Sequence, residues 1–171
     1  MMQHPFFTDK EILVIDQSAK NTNDRTWCFW EQQPGVFEAI VHHHWKQIDF
    51  FSDSFSARFD LQPYQYKMIR SIDFYNYVLE KAKDKPNIHF KNAGVKAVVN
   101  NNENSTVSVW ADEETYTADY VFNSITLQEH GLNAEKKNKN QYYLLQHFKG
   151  WLIETPSSKF DERIATFMDF R

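Results

Sequence analysis

Glycine is scarce in this chain. Four of the 171 residues are glycine, whereas the usual share of ~7% would give about twelve. The four lie too far apart to form a loop such as G-x-G-x-x-G, in which glycines let the backbone approach a phosphate closely. They are Gly35, Gly94, Gly131 and Gly150. The sequence therefore excludes every glycine-rich phosphate-binding loop within these residues.

Cysteine, positive charge and long apolar runs are also limited. The single cysteine, Cys28, cannot form an internal disulfide or build a cysteine-based zinc site, which favours a reducing, cytoplasmic environment. Nineteen basic against 23 acidic residues give a net charge of -4, which argues against nucleic acid as a partner. No apolar run approaches the ~18 residues of a membrane span, and the first nine residues do not have the pattern of a signal peptide.

Aromatic residues are abundant: 15 Phe, 8 Tyr and 5 Trp make up 16% of the chain. They are densest in Asn23–Glu31, which reads NDRTWCFWE. Trp27 and Trp30 offer large apolar faces that suit an apolar or polyene ligand, or a developing cation held over aromatic rings. The alternative is packing in a core, and the residues alone favour that alternative because aromatics dominate cores by area.

The clearest elements indicate an α/β arrangement. Lys10–Asp16 is a short apolar run that predicts a buried parallel strand. A helix is predicted from Ser71, as its N-cap, to Pro86, because apolar residues recur with helical spacing. Ile88–Phe90 follows as a strand, so helix and strand form half of an α/β unit.

The remaining segments predict further strands. They alternate between polar and apolar residues, or contain β-forming residues between turn signals. These segments are Val36–Trp45, Phe50–Leu61, a meander over Val95–Ser124, Gln141–Thr155 and Ala165–Phe170.

Several single residues are candidates for chemistry. Asp16 ends the first strand, where a dinucleotide-binding fold holds the ribose, although many strands end in an aspartate that serves only a turn. Adjacent residues of a strand face opposite ways, so His42–His44 cannot all face one ion, and we expect no metal site. Cys28 is expected to be a buried, inert thiol. Glu154 would be a proton donor with a raised pKa only if it faced inward.

A set of motifs resembles the lycopene cyclase family, the lycopene β-cyclase flavoproteins of bacterial carotenoid synthesis. The resemblance extends over nearly the whole chain, and Asn23–Glu31 is its most specific part. The other segments that carry it are Ile12–Asp16, Pro63–Arg70 with Asp73–Tyr75, Thr117–Ser124, Gln146–Trp151 and Met168–Arg171.

The resemblance implies an α/β (α+β) fold, with a partial Rossmann-like FAD-binding domain and an antiparallel β-sheet that binds the substrate. Residues 10–35 and 71–124 would belong to the cofactor part, and residues 36–70 and 141–171 to the substrate sheet, within one incomplete domain over residues 1–171. The implied reaction closes the ends of lycopene into β-ionone rings by acid–base chemistry. It requires reduced FAD, with NAD(P)H as the reductant, and causes no net redox change.

The resemblance also assigns residues. Asp16 would bind the ribose and Arg25 the phosphates of the cofactor, while Trp27 and Trp30 would line the polyene channel or stabilise the cation. The family's glycine-rich loop should precede Ile12, and its catalytic glutamate motif should follow Arg171. We therefore expect an internal fragment whose catalytic acid lies outside it.

Other interpretations stay open at this point. Another FAD-dependent oxidoreductase, either a hydroxylase or an isoprenoid reductase, would share Asp16 and the helix at Ser71. A non-catalytic carotenoid- or lipid-binding module could line its pocket with Trp27, Trp30, Phe50 and Phe51. Because lycopene is so apolar, the resemblance also implies peripheral contact with the inner face of the plasma membrane.

Overall fold

The computed structural model describes residues 4–125 and 150–171, which form a sheet-rich α+β fold in two compact units. The first unit contains Lys20–Pro86 and Ile153–Arg171, and the second contains Phe6–Ala19 and the described part of Asn87–Leu152. The described elements are 3₁₀ helices at Pro5–Phe7 and Glu38–Ile40, helix α1 (Ser71–Ala82) and strands β1 (Ile12–Asp16), β2 (Thr26–Glu31), β3 (His43–Trp45), β4 (Gln47–Phe51), β5 (Ser56–Asp60), β6 (Gln65–Arg70), β7 (Ile88–Asn92), β8 (Val95–Asn101), β9 (Thr106–Ala111), β10 (Glu114–Ala118) and β11 (Ile164–Asp169).

Strand β1 of the second unit is parallel, as the sequence predicts. It pairs with β7 from Ile12 opposite Ile88 to Asp16 opposite Asn92. The predicted burial is wrong, because Leu13 and Val14 are 39% and 42% exposed. Adjacent strand residues face opposite sides, and the described part of this sheet has two strands, so neither side chain is covered.

The predicted meander is present in the second unit. Strand β9 pairs antiparallel with both β8 and β10. Ser105 and Asp112 adopt positive φ angles of 56° and 49° in the two connecting turns. The last strand ends at Ala118, six residues before the end of the predicted meander at Ser124. Val109 and Ala111 are the buried apolar residues of β9.

The first unit contains the antiparallel sheet β2–β6–β3, and α1 follows β6 without a loop. The helix is predicted correctly, but Arg70 rather than Ser71 occupies the N-cap. The Arg70 guanidinium donates two hydrogen bonds to Asp73 in the first turn, which holds the pKa of Asp73 below its usual value. Ser71 is completely buried, and its Oγ accepts a hydrogen bond from Arg25 in the segment before β2.

The other sheet of the first unit is β11–β4–β5, and its pairing is mixed. Strands β4 and β5 form an antiparallel hairpin, whereas β11 runs parallel to β4. The predicted substrate sheet was wholly antiparallel. Strands β4 and β11 are far apart in the sequence, and a strand that no hairpin turn joins to its neighbour can pair with it in either direction.

Two predicted strands differ from the structure. Val36–Trp45 contains the 3₁₀ helix Glu38–Ile40, and strand structure begins only at His43. The Glu38 carboxylate of this turn accepts a hydrogen bond from Lys67. In the predicted strand Gln141–Thr155, residues 141–149 lie outside the described residues, and residues 150–155 are not in a strand.

The coarse fold class is confirmed as a mixture of β-sheets and one described helix. The Rossmann-like domain and the division into a cofactor part and a substrate part stay predictions, and the compact units follow different boundaries. Within residues 4–125 and 150–171, the structure has no helix with the length and apolarity needed to cross a membrane.

Candidate functional site

The segment Asn23–Glu31 is anchored to the start of α1. The backbone N–H of Arg25 donates to Oγ of Ser71 at 3.0 Å, and the Ser71 N–H donates to the Arg25 carbonyl at 2.9 Å. The Tyr75 hydroxyl donates to Oδ1 of Asp24 at 2.9 Å, which lowers the pKa of Asp24. These hydrogen bonds hold the residues just before β2 against the start of α1.

Trp27 lies on the face of β2 that packs against α1. Its ring centre is 5.3 Å from that of Phe74 and 6.0 Å from that of Tyr75, both in edge-to-face geometry. The Lys20 ammonium lies 5.4 Å from the centre of the Tyr75 ring. Trp27 therefore packs between β2 and α1, as expected if the aromatic residues of the motif serve as core residues.

Trp30 lies on the opposite face of the same strand, because residues three apart on a strand point to opposite sides. It is 44% exposed. Its ring centre lies 4.6 Å from that of Tyr66 and 5.8 Å from that of Phe167. The two tryptophans therefore do not form one surface, and a role of either in substrate binding stays a prediction.

Trp30 belongs to a row of rings that crosses the sheet, which we call the aromatic wall: Trp30, Tyr66 and Trp45. Tyr66 on β6 lies directly opposite both Trp30 on β2 and Trp45 on β3. The ring centres of Tyr66 and Trp45 are 5.8 Å apart. His43 extends the row, since its ring is 4.7 Å from that of Trp45. Tyr66 and Trp45 were missed at the sequence level because their position depends on strand register.

The central phenol of the aromatic wall stays protonated at neutral pH. Burial raises the pKa of Tyr66 to about 12, and a hydrogen bond with the Cys28 thiol adds to the effect. Cys28 is exposed, so the prediction of a buried thiol is wrong. It lies on the exposed side of β2 together with Trp30.

The opposite face of this sheet holds a charge cluster around a buried lysine, which we call the Lys67 cluster: Lys67, Glu31 and Glu38. Lys67 is only 2% exposed. Its Nζ donates to Oε2 of Glu31 at 2.9 Å and also to Oε2 of Glu38. Burial alone would lower the pKa of Lys67, but the hydrogen bonds to Glu38 and Glu31 outweigh burial and raise it. Both carboxylates therefore serve as hydrogen-bond acceptors for the Lys67 ammonium.

Gly35 lies in the bend that follows β2. A Cβ atom at this position would meet the carboxylate of Glu31, which is the flexible end of that side chain. Tyr77 supports the same segment by donating a hydrogen bond to the Val36 carbonyl at 3.0 Å.

An open groove of about 960 Å³ lies between this turn and α1. Its lining is mainly polar and charged, with carboxylates, ammonium groups and a histidine side by side. Such a lining does not suit an apolar polyene. The residues are Ala39, Ile40, Val41, His42, Arg70, Asp73, Asn76, Tyr77, Glu80, Lys81, Asp84 and Lys85.

The two predicted cofactor residues belong to different compact units. Asp16 ends β1 in the second unit, where Oδ1 accepts the Ser18 N–H at 2.8 Å and the Asp16 carbonyl accepts from Asn92 at 3.1 Å. Arg25 belongs to the first unit; its side chain is exposed, and its Nε lies 3.6 Å from the Asp24 carboxylate.

A model of the lycopene cyclase protein family matches residues 7–171. The chain belongs to the lycopene cyclase family. A search of curated proteins found no significant match. Two solved structures show a weaker likeness: CtdE in complex with FAD and substrate 4 (11% identity, TM-score 0.47) and CtdE in complex with FAD (12%, 0.42). Each match covers 67% of this chain and 31% of the solved chain.

Other predicted positions of this lycopene cyclase chain are less suited to chemistry. Glu154 lies exposed in an irregular segment. Phe50 packs against Phe55 and Phe170 within the β11–β4–β5 sheet, and the Arg171 guanidinium lies 3.9 Å from the centre of the Phe51 ring. The part of the chain that the structure describes has no group of three or more His, Cys, Asp or Glu residues placed to hold a metal ion.

Proposed function

We propose that this chain belongs to a lycopene β-cyclase. Family membership over residues 7–171 is the observation that supports the proposal. The motif Asn23–Glu31 agrees with it, because the structure builds this motif into an ordered strand that presents Trp30 in an aromatic wall.

The reaction is an isomerisation that balances in protons. A carboxylic acid adds a proton to the terminal double bond of lycopene, and the resulting carbocation is attacked by a neighbouring double bond to close the ring. A base then removes one proton, so no electrons are gained or lost. Electron-rich aromatic faces stabilise such a cation, and Trp30 supplies one.

We assign the proton donor to none of Glu31, Glu38 and Glu154. Glu31 and Glu38 accept hydrogen bonds from Lys67, and Glu154 is exposed, whereas a general acid of this kind needs a desolvated carboxyl group. The family's catalytic glutamate motif does not occur in these residues. We propose that the acid belongs to a segment outside them.

We propose that the protein binds FAD through a Rossmann-like domain that includes β1. The parallel pairing of β1 with β7 supports this, as does the position of Asp16 at the carboxyl end of β1. Arg25, with its exposed guanidinium, is the proposed phosphate ligand. Reduced FAD, regenerated by NAD(P)H, is the form that supports cyclisation in this family.

The substrate class is a long apolar polyene, lycopene or a close relative. We propose that the protein works in the cytoplasm and reaches its substrate by peripheral contact with the inner face of the membrane, because such a molecule is stored in lipid. The proposal involves no nucleic acid and no metal.

Expression of the full natural gene in cells that accumulate lycopene tests the cyclase function. The expected products are β-carotene or its one-ring precursor. Hydroxylated or saturated acyclic products would contradict the assignment. Lycopene that co-purifies with the protein and stays unchanged, with reduced FAD supplied, would instead indicate a carotenoid-binding module.

A further inference from the structure

Strand β5 forms an open edge of the β11–β4–β5 sheet. Strand β4 pairs with one side of β5, and no described strand pairs with the other side. Among residues 4–125 and 150–171, no backbone hydrogen bond reaches that side of β5. An open edge presents N–H and C=O groups on which a further strand can pair.

Three residues of β5 turn their backbone groups towards this edge. At the hairpin end, Phe55 and Ser52 exchange both backbone hydrogen bonds. In an antiparallel ladder, hydrogen-bonded pairs recur at every second residue, so the backbone groups of Ala57 and Phe59 face β4, as those of Phe55 do. The outward N–H and C=O groups therefore belong to Ser56, Arg58 and Asp60.

The charges of β5 suit pairing with an identical strand. Arg58 and Asp60 are two residues apart and share one face of the strand, while Phe59 lies on the other face. If two copies of β5 run antiparallel with Phe59 at the two-fold axis, Arg58 of each copy lies opposite Asp60 of the other. Both of these are hydrogen-bonded pairs, because both residues turn their backbone groups outward. Of the described edge strands, β5 alone contains both an acidic and a basic residue.

The side chains fit this register on both faces. Phe59 is 44% exposed and would meet Phe59 of the second copy at the axis, and aromatic and opposite-charge pairs across strands stabilise a sheet. Nε and Nη2 of Arg58 donate to Asp49 at 2.7 and 2.9 Å, which orients the guanidinium and leaves donors on Nη1 for Asp60. An axis at Arg58 would instead place two guanidinium groups opposite each other, which is destabilising.

We infer that β5 is a self-association edge, at which two copies of this chain pair antiparallel about Phe59. The two three-stranded sheets would then form one sheet of six strands. The same surface serves both copies, as closed two-fold symmetry requires. The inference concerns assembly and goes beyond the proposed cyclase reaction. One short strand from each copy makes a small interface, and interfaces below about 1,200 Å² are typically weak, so we expect a concentration-dependent dimer.

Analytical ultracentrifugation of the full natural protein tests the charge pairs. Asp60→Arg and Arg58→Glu each place like charges opposite each other in a homodimer, so each should raise the dimer Kd roughly tenfold or more. An equal mixture of the two variants restores both opposite-charge pairs and should form a heterodimer with a Kd close to that of the wild type. Asp53→Arg, at an exposed residue between β4 and β5, is the control for the change in net charge. If Arg58→Glu does not fold, Asp60→Arg against Asp53→Arg still decides, because Asp60→Arg keeps the Arg58–Asp49 pair.

Disulfide cross-linking tests the register. Phe59→Cys, in a Cys28→Ser background that removes the exposed natural thiol, places two thiols at the axis. Such a non-hydrogen-bonded pair has Cα atoms about 4.5 Å apart, which is within disulfide reach. Ala57→Cys is the matched control, since its two copies would lie about 14 Å apart along the strands. After mild oxidation, peptide mass spectrometry should find dimers linked through position 59 and none linked through position 57.

Three results would overturn the inference. They are a natural protein that stays monomeric up to millimolar concentration and gives no cross-link through Phe59→Cys, equal cross-linking at positions 57 and 59, and equal dimer Kd values for Asp60→Arg and Asp53→Arg. None of these results bears on the cyclase function, which the carotenoid products test separately.

Discussion

The buried ammonium of Lys67 allows a quantitative prediction. Replacement by methionine keeps the length and apolar stem of the side chain but removes the charge that holds Glu31 and Glu38. The two carboxylates would then face each other across the bend at Gly35 without a cation between them. We expect Lys67→Met to lower the free energy of unfolding of the first unit.

The expected loss of stability depends on how deeply the three charged side chains are buried. Removing one partner of a fully buried ion pair costs about 3–5 kcal/mol. Lys67 is 3% exposed at its side chain, but Glu31 and Glu38 keep 27% and 44% exposure and so retain part of their hydration. We therefore expect a loss of about 2–3 kcal/mol for Lys67→Met.

Urea unfolding monitored by tryptophan fluorescence is the assay, because Trp27, Trp30 and Trp45 all belong to the first unit. Lys83→Met in the same unit is the control. Lys83 pairs with Glu80 at 3.7 Å and both side chains are exposed, so this change should cost less than about 0.5 kcal/mol.

A triple variant tests whether unpaired carboxylates cause the loss of stability expected for Lys67→Met. Replacing Lys67, Glu31 and Glu38 together by Met, Leu and Leu removes the charges without leaving any of them unpaired, and such replacements are often neutral. We expect the triple variant to recover at least half of the stability lost by Lys67→Met. Equal stabilities of Lys67→Met and wild type, or a triple variant worse than the single one, would refute the reasoning.

Three further predictions concern the same unit. Folding raises the pKa of Lys67. The difference in free energy of unfolding between wild type and Lys67→Met should therefore have its full size below the unfolded pKa of ~10.4 and should shrink as pH rises through the folded pKa. A difference that grows at alkaline pH would contradict this. Ser71→Ala should cost about 1–2 kcal/mol in urea unfolding, since it deprives the backbone N–H of Arg25 of its acceptor, and Ser54→Ala, at an exposed serine of the same unit, should cost nothing measurable. Trp27→Leu should cost about 2 kcal/mol through lost contacts with α1, and it should leave the quenching of tryptophan fluorescence by lycopene unchanged; a loss of quenching at normal stability would place Trp27 in the substrate surface.

The local elements of this fold could be predicted because their signals are local. Ile12–Asp16 is a parallel strand, α1 begins at Ser71, and the asparagine and acidic turns separate the strands of the meander. Each of these follows from periodicity and turn residues within about a dozen positions. The N-cap was misplaced because Ser71 is bonded to Arg25, a partner 46 residues away.

The candidate site was less predictable because it depends on which strands and side chains pair with each other. Strand alternation alone would have separated Trp27 from Trp30 once β2 was treated as a strand. Strand order and register decide that Tyr66 lies between Trp30 and Trp45. The burial of Lys67 depends on Glu31 and Glu38, which are 36 and 29 residues away. The sequence pattern does not specify these long-range partners.

The central claim is that the full protein cyclises lycopene by acid–base chemistry. The isotope content of the product is the most direct test of this claim. The purified natural protein, with reduced FAD and lycopene in vesicles, is allowed to react in D₂O, and the carotenoid is analysed by mass spectrometry. Protonation followed by loss of a different hydrogen predicts one deuterium in the product for each ring closed, with the carbon skeleton otherwise isomeric with lycopene. A cyclic product without deuterium, or a product that differs from lycopene by a pair of hydrogens or an oxygen, would contradict the account.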